Sequence, residues 1–265
     1  MDDNSISAGK SAWALVTGAS SGLGIAFATA LAERRYNLVL VARREELMHE
    51  LAERLEREHK VKTAVYGLDL GLKDSAAKLQ ECLKADTIEI DVLVNNAAFA
   101  VSGLFLDQDP QRIRAMLQLN IIALTELTHT FGRQMTQRKR GHILLVSSVG
   151  AYTPSPLAAA YSAAKAYVLS LGVALKVELE PHVGVTVMSP GLMDTEFHGV
   201  AGYTMPPYMR RSVLQTDKVA NIGLDAMFAG RSSVVAGRIN KIGALTSRIL
   251  PRLLLARMAY RISKN

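Results

Sequence analysis

The sequence predicts a single α/β domain with a seven-stranded, mostly parallel sheet that helices flank on both faces. Short β-rich runs alternate with long amphipathic stretches along the chain, and this alternation is typical of a doubly wound parallel sheet. The chain has 265 residues, of which 49% are hydrophobic, and these values suit one domain with a well-filled core. Seven strands in a chain of this length leave no room for a second globular domain.

Each predicted strand is a short apolar run, and each predicted helix carries apolar residues three or four positions apart. The strands, in chain order, are Ala12–Thr17, Asn37–Val41, Thr63–Gly67, Val92–Asn95, His142–Ser147, Val185–Ser189 and Ser233–Ala236. The helices are Gly22–Arg34, Glu45–His59, Asp74–Leu83, Pro110–Arg138, Leu157–Glu180 and Asp217–Phe228.

A long irregular segment, residues 191–216, follows the sixth predicted strand. It contains the adjacent Pro206 and Pro207 together with several Met and Tyr residues. Ligands of open α/β sheets bind beyond the carboxyl ends of the strands, so this position favours a substrate lid over a simple linker. Its composition suits a lipophilic or flat substrate better than a sugar or a phosphate ester.

Charge and cysteine content exclude several classes of protein. The net charge is +7, but eight basic residues and no acidic residue lie between Arg231 and Asn265, and the remaining chain has 23 basic and 24 acidic residues. A nearly neutral body with a basic tail argues against a nucleic-acid partner. The single cysteine, Cys82, excludes a disulfide framework, and the six histidines show no metal-ligand spacing, so we predict no metal site.

The first ten residues are acidic and polar, and no apolar run approaches the roughly 18 residues that a membrane span needs. We therefore expect a cytoplasmic protein that is soluble or peripheral to a membrane. After Pro251 the tail predicts an amphipathic helix, which either lies in an anionic membrane interface or docks on the protein or a partner subunit. Its apolar stripe holds Leu254, Leu255, Met258, Ala259 and Ile262, and Arg257, Arg261 and Lys264 lie on the other side.

A glycine-rich turn joins the first predicted strand to the first predicted helix. Glycines permit a sharp turn and close approach of a ligand, and the free N–H groups at a helix start attract an anion. In this position the pattern indicates a dinucleotide-binding, Rossmann-like domain rather than a turn without a ligand. The residues of the turn are Thr17, Gly18, Ala19, Ser20, Ser21, Gly22, Leu23 and Gly24.

The end of the second predicted strand indicates which dinucleotide binds. An acidic residue at this place would hold the ribose 2′-hydroxyl of NAD, whereas this chain has Ala42 followed by Arg43 and Arg44. A guanidinium without a neighbouring carboxylate can hold a 2′-phosphate, so NADP(H) is favoured. The alternative is that the two arginines pair with Glu45 and Glu46.

Four polar residues form a consistent candidate for a reacting site. Tyr161 and Lys165 lie one helical turn apart, and a nearby cation can lower the pKa of a tyrosine that is otherwise near 10. Ser148 follows the apolar strand that ends at Ser147, at the carboxyl edge of the sheet. Asn120 lies within the long helix before it, where an Asn needs a hydrogen-bond partner.

Together these features resemble the short-chain dehydrogenase/reductase family, in its common type of roughly 250 residues. Within the family they most resemble the bacterial reductases related to hydroxysteroid dehydrogenases and 3-ketoacyl reductases. The similarity runs from about Ala12 to Ala236, so we assign residues 1–240 to the dinucleotide-binding and catalytic domain and 241–265 to a basic tail. Where the family usually has glycine after Asn-Asn-Ala, this chain has Ala98, which puts the local backbone geometry in question. The matching residues are the glycine turn, Asp69, Asn95, Asn96, Ala97, Asn120, Ser148, Tyr161, Lys165, Pro190, Gly191 and Thr195.

The resemblance implies hydride transfer between a nicotinamide and a carbonyl or carbinol carbon. Tyr161 would donate the proton, Ser148 would hold the same oxygen, and Lys165 would hold the nicotinamide ribose and lower the pKa of Tyr161. Asn120 would anchor a water that resupplies the proton through Lys165. The resemblance further implies that Asp69, Leu70, Asn96 and Ala97 follow the adenosine half of the cofactor, and that Pro190, Gly191 and Thr195 hold the nicotinamide end.

The family resemblance also implies a homodimer or homotetramer. Its contacts would be formed by the helices Pro110–Arg138 and Leu157–Glu180, whose apolar positions are equally compatible with burial inside one subunit. For the substrate we expect a lipophilic ketone or secondary alcohol, of steroid or 3-oxoacyl type. A function from another class is a non-catalytic NADP-binding redox sensor or assembly protein, against which the intact Ser148, Tyr161 and Lys165 argue.

Overall fold

The sheet and its topology are those that the sequence predicts. The computed structural model describes residues 12–193, 213–247 and 249–264. Within these ranges the chain forms one seven-stranded sheet of order β3-β2-β1-β4-β5-β6-β7, in which all neighbouring strands are parallel. The strands are β1 (Trp13–Thr17), β2 (Asn37–Ala42), β3 (Thr63–Gly67), β4 (Ile90–Asn95), β5 (His142–Val146), β6 (Gly184–Ser189) and β7 (Ser233–Val235).

Helices connect the strands and cover both faces of the sheet. The α-helices are α1 (Gly22–Glu33), α2 (Glu45–His59), α3 (Ser75–Ala85), α4 (Pro110–Leu117), α5 (Leu124–Gln137), α6 (Ala159–Glu178), α7 (Thr216–Phe228), α8 (Arg238–Thr246) and α9 (Arg252–Lys264). A π-helix (Gln118–Ala123) joins α4 to α5, and two short 3-10 helices follow β4 and β5 at Phe105–Asp107 and Val149–Ala151.

Two features depart from the sequence prediction. The predicted single helix Pro110–Arg138 is divided by the π-helix, because the sequence period does not reveal one widened turn within a continuous helix. Helix α8 was not predicted, and the predicted boundary between residues 240 and 241 falls inside it. Most of the predicted lid, residues 194–212, lies outside the described residues, and so does Thr195.

The core lies in two layers, one on each face of the sheet. Phe27 of α1 and Met227 of α7 are fully buried on one face, and Leu79 of α3 and Phe131 of α5 are fully buried on the other. The strand order reverses between β1 and β4, and in open α/β sheets a crevice forms at such a point beyond the carboxyl ends of the strands. The loops after β1, β4, β5 and β6 meet there.

Candidate active site

A cavity of about 730 Å³ lies beyond the carboxyl ends of the strands. It receives residues from the loops after β1 to β6 and from the first turns of α6. This cavity is lined by most of the residues that the sequence predicts for the site. They are Gly18, Ser20, Ser21, Gly22, Leu23, Arg43, Asp69, Leu70, Asn96, Ala97, Ser148, Tyr161, Lys165, Pro190 and Gly191. Among the other predicted site residues, Thr17, Gly24 and Asn120 lie behind the cavity wall.

The glycine turn brings backbone within reach of a ligand. Gly18 has a φ of +68° and donates its N–H to the Val41 carbonyl at 2.8 Å, which ties the turn to the end of β2. A Cβ at Gly24 would lie 2.0 Å from the Gly18 carbonyl oxygen, so only glycine lets α1 pack this closely against the turn. The amino end of α1 therefore points into the cavity, where an anion would be held.

Thr17 supports this turn from behind rather than contacting the cavity. Its buried hydroxyl accepts hydrogen bonds from the N–H groups of Asn96 and Ala97, each at 2.9 Å, and donates to the Val94 carbonyl. The Asn96 amide donates to the Thr17 carbonyl, also at 2.9 Å. The two residues thereby fix the loop after β4 beside the glycine turn, and both loops form one wall.

The two arginines after β2 have different environments. Arg43 is exposed at the edge of the cavity, and the described residues offer it no hydrogen-bond or ion-pair partner. The Arg44 guanidinium donates to the hydroxyl and to the carbonyl of Ser20, each at 3.3 Å. Arg44 thus links the end of β2 to the glycine turn. From the sequence, Arg44 is expected only as an alternative partner of Glu45 and Glu46, and its position next to Arg43 was the available signal for the contact with Ser20.

Asp69 and Pro190 lie on opposite sides of the cavity. One Asp69 carboxylate oxygen accepts the Gly71 N–H at 2.9 Å, which orders the loop after β3. The Pro190 carbonyl accepts the Val149 N–H at 3.0 Å and joins the loops after β5 and β6. The cavity wall is therefore held by hydrogen bonds between neighbouring loops.

Ser148 and Tyr161 meet at the centre of the site. The Ser148 hydroxyl accepts the Gly150 N–H at 3.1 Å and forms a hydrogen bond with Tyr161. Burial raises the pKa of Tyr161 to about 12, while the Ser148 hydrogen bond acts to lower it. The direction is opposite to the expectation that Lys165 lowers this pKa, because desolvation of the phenolate outweighs the favourable contacts. The Tyr161 hydroxyl is therefore a protonated acid at neutral pH.

Lys165 is held against the floor of the cavity. Its side chain is 2% exposed, and Nζ donates to the Val146 carbonyl at 2.9 Å. Burial lowers the pKa of Lys165 to about 8. Nζ lies 5.8 Å from the centre of the Tyr161 ring. The site thus places a protonated phenol beside a buried ammonium group that titrates close to neutral pH.

Asn120 lies in the π-helix and is fully buried. Its Nδ2 donates to the Phe99 carbonyl at 2.9 Å, and its Oδ1 accepts the Phe99 N–H at 3.2 Å. Phe99 lines the cavity, so Asn120 positions a wall segment instead of presenting its amide to the cavity. The sequence alone assigns Phe99 no role, and no residue pattern predicts this contact.

Ala98 has an ordinary backbone conformation. It lines the cavity, and the described non-glycine residues with positive φ do not include it. The φ of Ala98 therefore causes no backbone strain, and the loop after β4 does not require glycine for its conformation there.

Neither a metal site nor a membrane-spanning helix occurs in the part of the chain that the structure describes. No group of three or more His, Cys, Asp or Glu side chains in these ranges could hold a metal ion. The helices of these ranges are also too short or too polar for any of them to cross a bilayer.

Comparison with known proteins gives one family. Residues 12–203 match the family model described as short chain dehydrogenase. The very-long-chain 3-oxoacyl-CoA reductase of Laccaria bicolor is 35% identical over 172 residues, which cover 64% of this chain and 51% of that protein. The chain spans about half the length of the curated relatives that it matches.

Solved structures extend the similarity over most of the chain. A short-chain dehydrogenase from Sphingobium yanoikuyae, in complex with NADPH, has a TM-score of 0.80 and 31% identity and covers 89% of this chain and 93% of its own. The bulky-bulky ketone specific alcohol dehydrogenase from Comamonas testosteroni has a TM-score of 0.75 and 31% identity, with coverages of 90% and 93%.

Proposed function

The chain belongs to the short-chain dehydrogenase family, and from this premise we propose that it is an NADP(H)-dependent oxidoreductase that interconverts a lipophilic ketone and its secondary alcohol. The proposal rests on one observation: Ser148, Tyr161 and Lys165 line the same cavity as the glycine turn. A protonated phenol can supply the proton that carbonyl reduction needs, and a hydroxyl and a buried ammonium group can stabilise the developing negative charge.

The residues present fit a dinucleotide. Gly18, at a φ of +68°, and Gly24, packed on the Gly18 carbonyl, permit the tight turn that brings the amino end of α1 to the cavity, where it attracts a phosphate group. Arg43 would hold the 2′-phosphate of NADP(H), and Arg44 would keep the turn in place through Ser20. Asp69, Leu70, Asn96 and Ala97 would follow the adenosine half, with Pro190, Gly191 and Thr195 at the nicotinamide end. The cofactor, when bound, supplies or accepts the hydride.

The chain's own residues move the proton. In the reductive direction the Tyr161 hydroxyl donates its proton to the carbonyl oxygen, and the Ser148 hydroxyl donates a hydrogen bond to the same oxygen. A phenol with a raised pKa is fully protonated at the start of this step. Lys165 provides a buried positive charge that stabilises the phenolate after the transfer. Asn120 keeps the Phe99 wall in position.

The apolar walls favour a lipophilic substrate. Phe99, Ala100, Leu119, Leu192 and Met193 line the cavity. An apolar enclosure with a few convergent polar groups selects a hydrophobic compound with one reactive oxygen. The names of the Laccaria bicolor and Comamonas testosteroni relatives agree with a ketone or 3-oxoacyl substrate.

We further propose a homodimer or homotetramer in a cytoplasmic setting. Ile122 of the π-helix and Val173 and Val177 of α6 are exposed apolar residues on the helices for which the sequence predicts subunit contacts. A second subunit packed on these helices would cover them.

NADPH oxidation tests the proposed function. Purified protein is mixed with a panel of ketones, steroids and 3-oxoacyl thioesters, with NADH in a parallel series and Tyr161→Phe as the control for specific turnover. We expect turnover of at least one lipophilic ketone with NADPH. Tight NADPH binding without turnover of any panel member would instead favour a non-catalytic sensor.

A further inference from the structure

Helix α8 has its apolar side in solvent. Ile239, Ile242 and Leu245 recur at three-residue spacing and are 72%, 67% and 61% exposed. The inward side carries Asn240, whose Nδ2 donates to the Ala236 carbonyl at 2.7 Å. Surface helices ordinarily bury their apolar face and expose their polar one. The orientation of α8 is therefore inverted, and such an exposed apolar face marks an interaction surface.

Exposed apolar side chains also occur in the rest of the C-terminal segment. Ile249 is 79% exposed. In α9 the half-buried side holds Leu255 and Ala259, so only part of the apolar stripe predicted from the sequence faces inward. We call the exposed side chains the C-terminal apolar surface. They are Ile239, Ile242, Leu245, Ile249, Leu253, Leu254 and Met258.

The charged side chains of the C-terminal segment are of one sign. No acidic residue follows Asp225 in the sequence. A second copy of the chain that packed this surface against itself would bring basic side chains together without a compensating carboxylate. An anionic bilayer instead offers acyl chains for the apolar residues and phosphates for the basic ones. The exposed basic residues are Arg238, Lys241, Arg252, Arg257 and Arg261.

Helix α8, which carries part of the C-terminal apolar surface, adjoins the cavity with its opposite, inward side. Asn240 of α8 packs so closely on Gly191 that a Cβ there would lie 2.1 Å from its Nδ2, and Gly191 lines the cavity. Arg252 of α9 borders a second cavity, of about 430 Å³, together with Gly150 and Tyr152, which follow Ser148. The C-terminal helices are thus neighbours of the loops that carry the reacting groups.

We propose that the C-terminal apolar surface docks on an anionic lipid bilayer. The aliphatic side chains enter the acyl region, the arginines and Lys241 contact the phosphates, and the loops around the catalytic cavity come close to the membrane. A lipophilic substrate then reaches the cavity from the bilayer; this last consequence rests on the proposed function, whereas the docking itself does not.

Vesicle co-sedimentation of the full chain tests the docking. The probes are vesicles of phosphatidylcholine alone and of equimolar phosphatidylcholine and phosphatidylglycerol. We expect binding to the second only, and its loss at high salt. The double variant Lys241→Glu/Arg257→Glu should bind at least about tenfold more weakly, since each basic residue near anionic lipid contributes about a factor of five. Its charge-matched control is Lys62→Glu/Lys84→Glu, at the opposite edge of the sheet.

A second pair of variants tests the apolar contribution. Ile242→Ser should weaken binding several-fold, and Leu47→Ser, an exposed leucine on α2, should not. Equal binding by all variants, or no binding to anionic vesicles, would overturn the proposal. So would a change of molecular mass in light scattering for Ile242→Ser, which would identify the surface as a protein interface. Vesicle binding needs no turnover, so failure of the proposed function would not affect it.

Discussion

Lys165 donates its Nζ proton to the Val146 carbonyl at 2.9 Å, from a position that water hardly reaches. The contact fixes the ammonium group at the end of β5, but one carbonyl does not replace full hydration. The pKa of Lys165 therefore falls to about 8 from an ordinary value of 10.5. This depression links Lys165 to the pH dependence of folding.

The first prediction concerns stability above neutral pH. Between about pH 8 and about pH 10.5 the unfolded chain keeps the Lys165 proton and the folded chain has lost it. The contribution of this group to the free energy of unfolding therefore increases with pH, by about 3 kcal/mol over this range. Lys165→Met removes this contribution. Urea unfolding of wild type and variant across this range, with exposed Lys84→Met as control, measures it. Parallel curves for wild type and Lys165→Met would contradict the shift.

The second prediction separates the two arginines. Arg43→Ala should weaken NADPH binding by roughly 1.5–3 kcal/mol, the scale of a hydrogen bond to a charged group, and leave NADH binding unchanged. Arg44→Ala should weaken both cofactors, because Ser20 loses its link to the end of β2. Fluorescence titration of each variant with each cofactor gives the comparison. Equal affinities of the wild type for NADPH and NADH would refute the role of Arg43.

The third prediction concerns the proton donor. Tyr161→Phe removes the acid but keeps the ring, so turnover should fall by a factor of about 10² to 10⁴ while NADPH affinity and the fold remain. Tyr167→Phe is the matched control, because Tyr167 lies on the same helix and its hydroxyl contacts Thr125 outside the cavity. Near-normal turnover of Tyr161→Phe would show that another group supplies the proton.

Most of the fold could be predicted from the sequence because the strands are short apolar runs that are separated by long periodic helices. The glycine turn and the Tyr161–Lys165 pair could also be recognised, since both depend on local spacing. The π-helix and the Asn120–Phe99 contact could not, because they depend on a one-residue widening of a helix and on a loop 21 positions away.

Two physical properties of the protein also could not be predicted from the sequence. The direction of the Tyr161 pKa depends on how deeply the phenol is buried, and adjacent residues do not determine burial. The orientation of α8 could not be inferred either, because its apolar residues follow a helical period but face solvent. Periodicity identifies an apolar face, whereas tertiary packing decides what covers it.

The fourth prediction concerns the departure from the family pattern at Ala98. Because Ala98 lies outside the left-handed region, Ala98→Gly gains no conformational relief and makes the unfolded chain more flexible. The free energy of unfolding should fall by about 0.4–1 kcal/mol, with unchanged NADPH affinity. Thermal unfolding and cofactor titration test this. A clear gain in stability would mean that the methyl group is strained.

The last prediction concerns Asn120, whose amide pairs with both polar groups of the Phe99 main chain. Asn120→Ala leaves the Phe99 N–H and carbonyl without these partners, and an unsatisfied buried polar group costs about 1–3 kcal/mol. We expect a loss of this size in unfolding free energy, together with a raised KM, because Phe99 lines the cavity. Asn221→Ala is the control, since the side-chain hydrogen bond of Asn221 stays within its own helix, at the Asp217 carbonyl, and lies away from the cavity. If Asn120→Ala unfolds like the wild type and keeps its KM, the paired amide does not hold the wall, and the direct role in proton supply that the family resemblance implies becomes the better explanation of this residue.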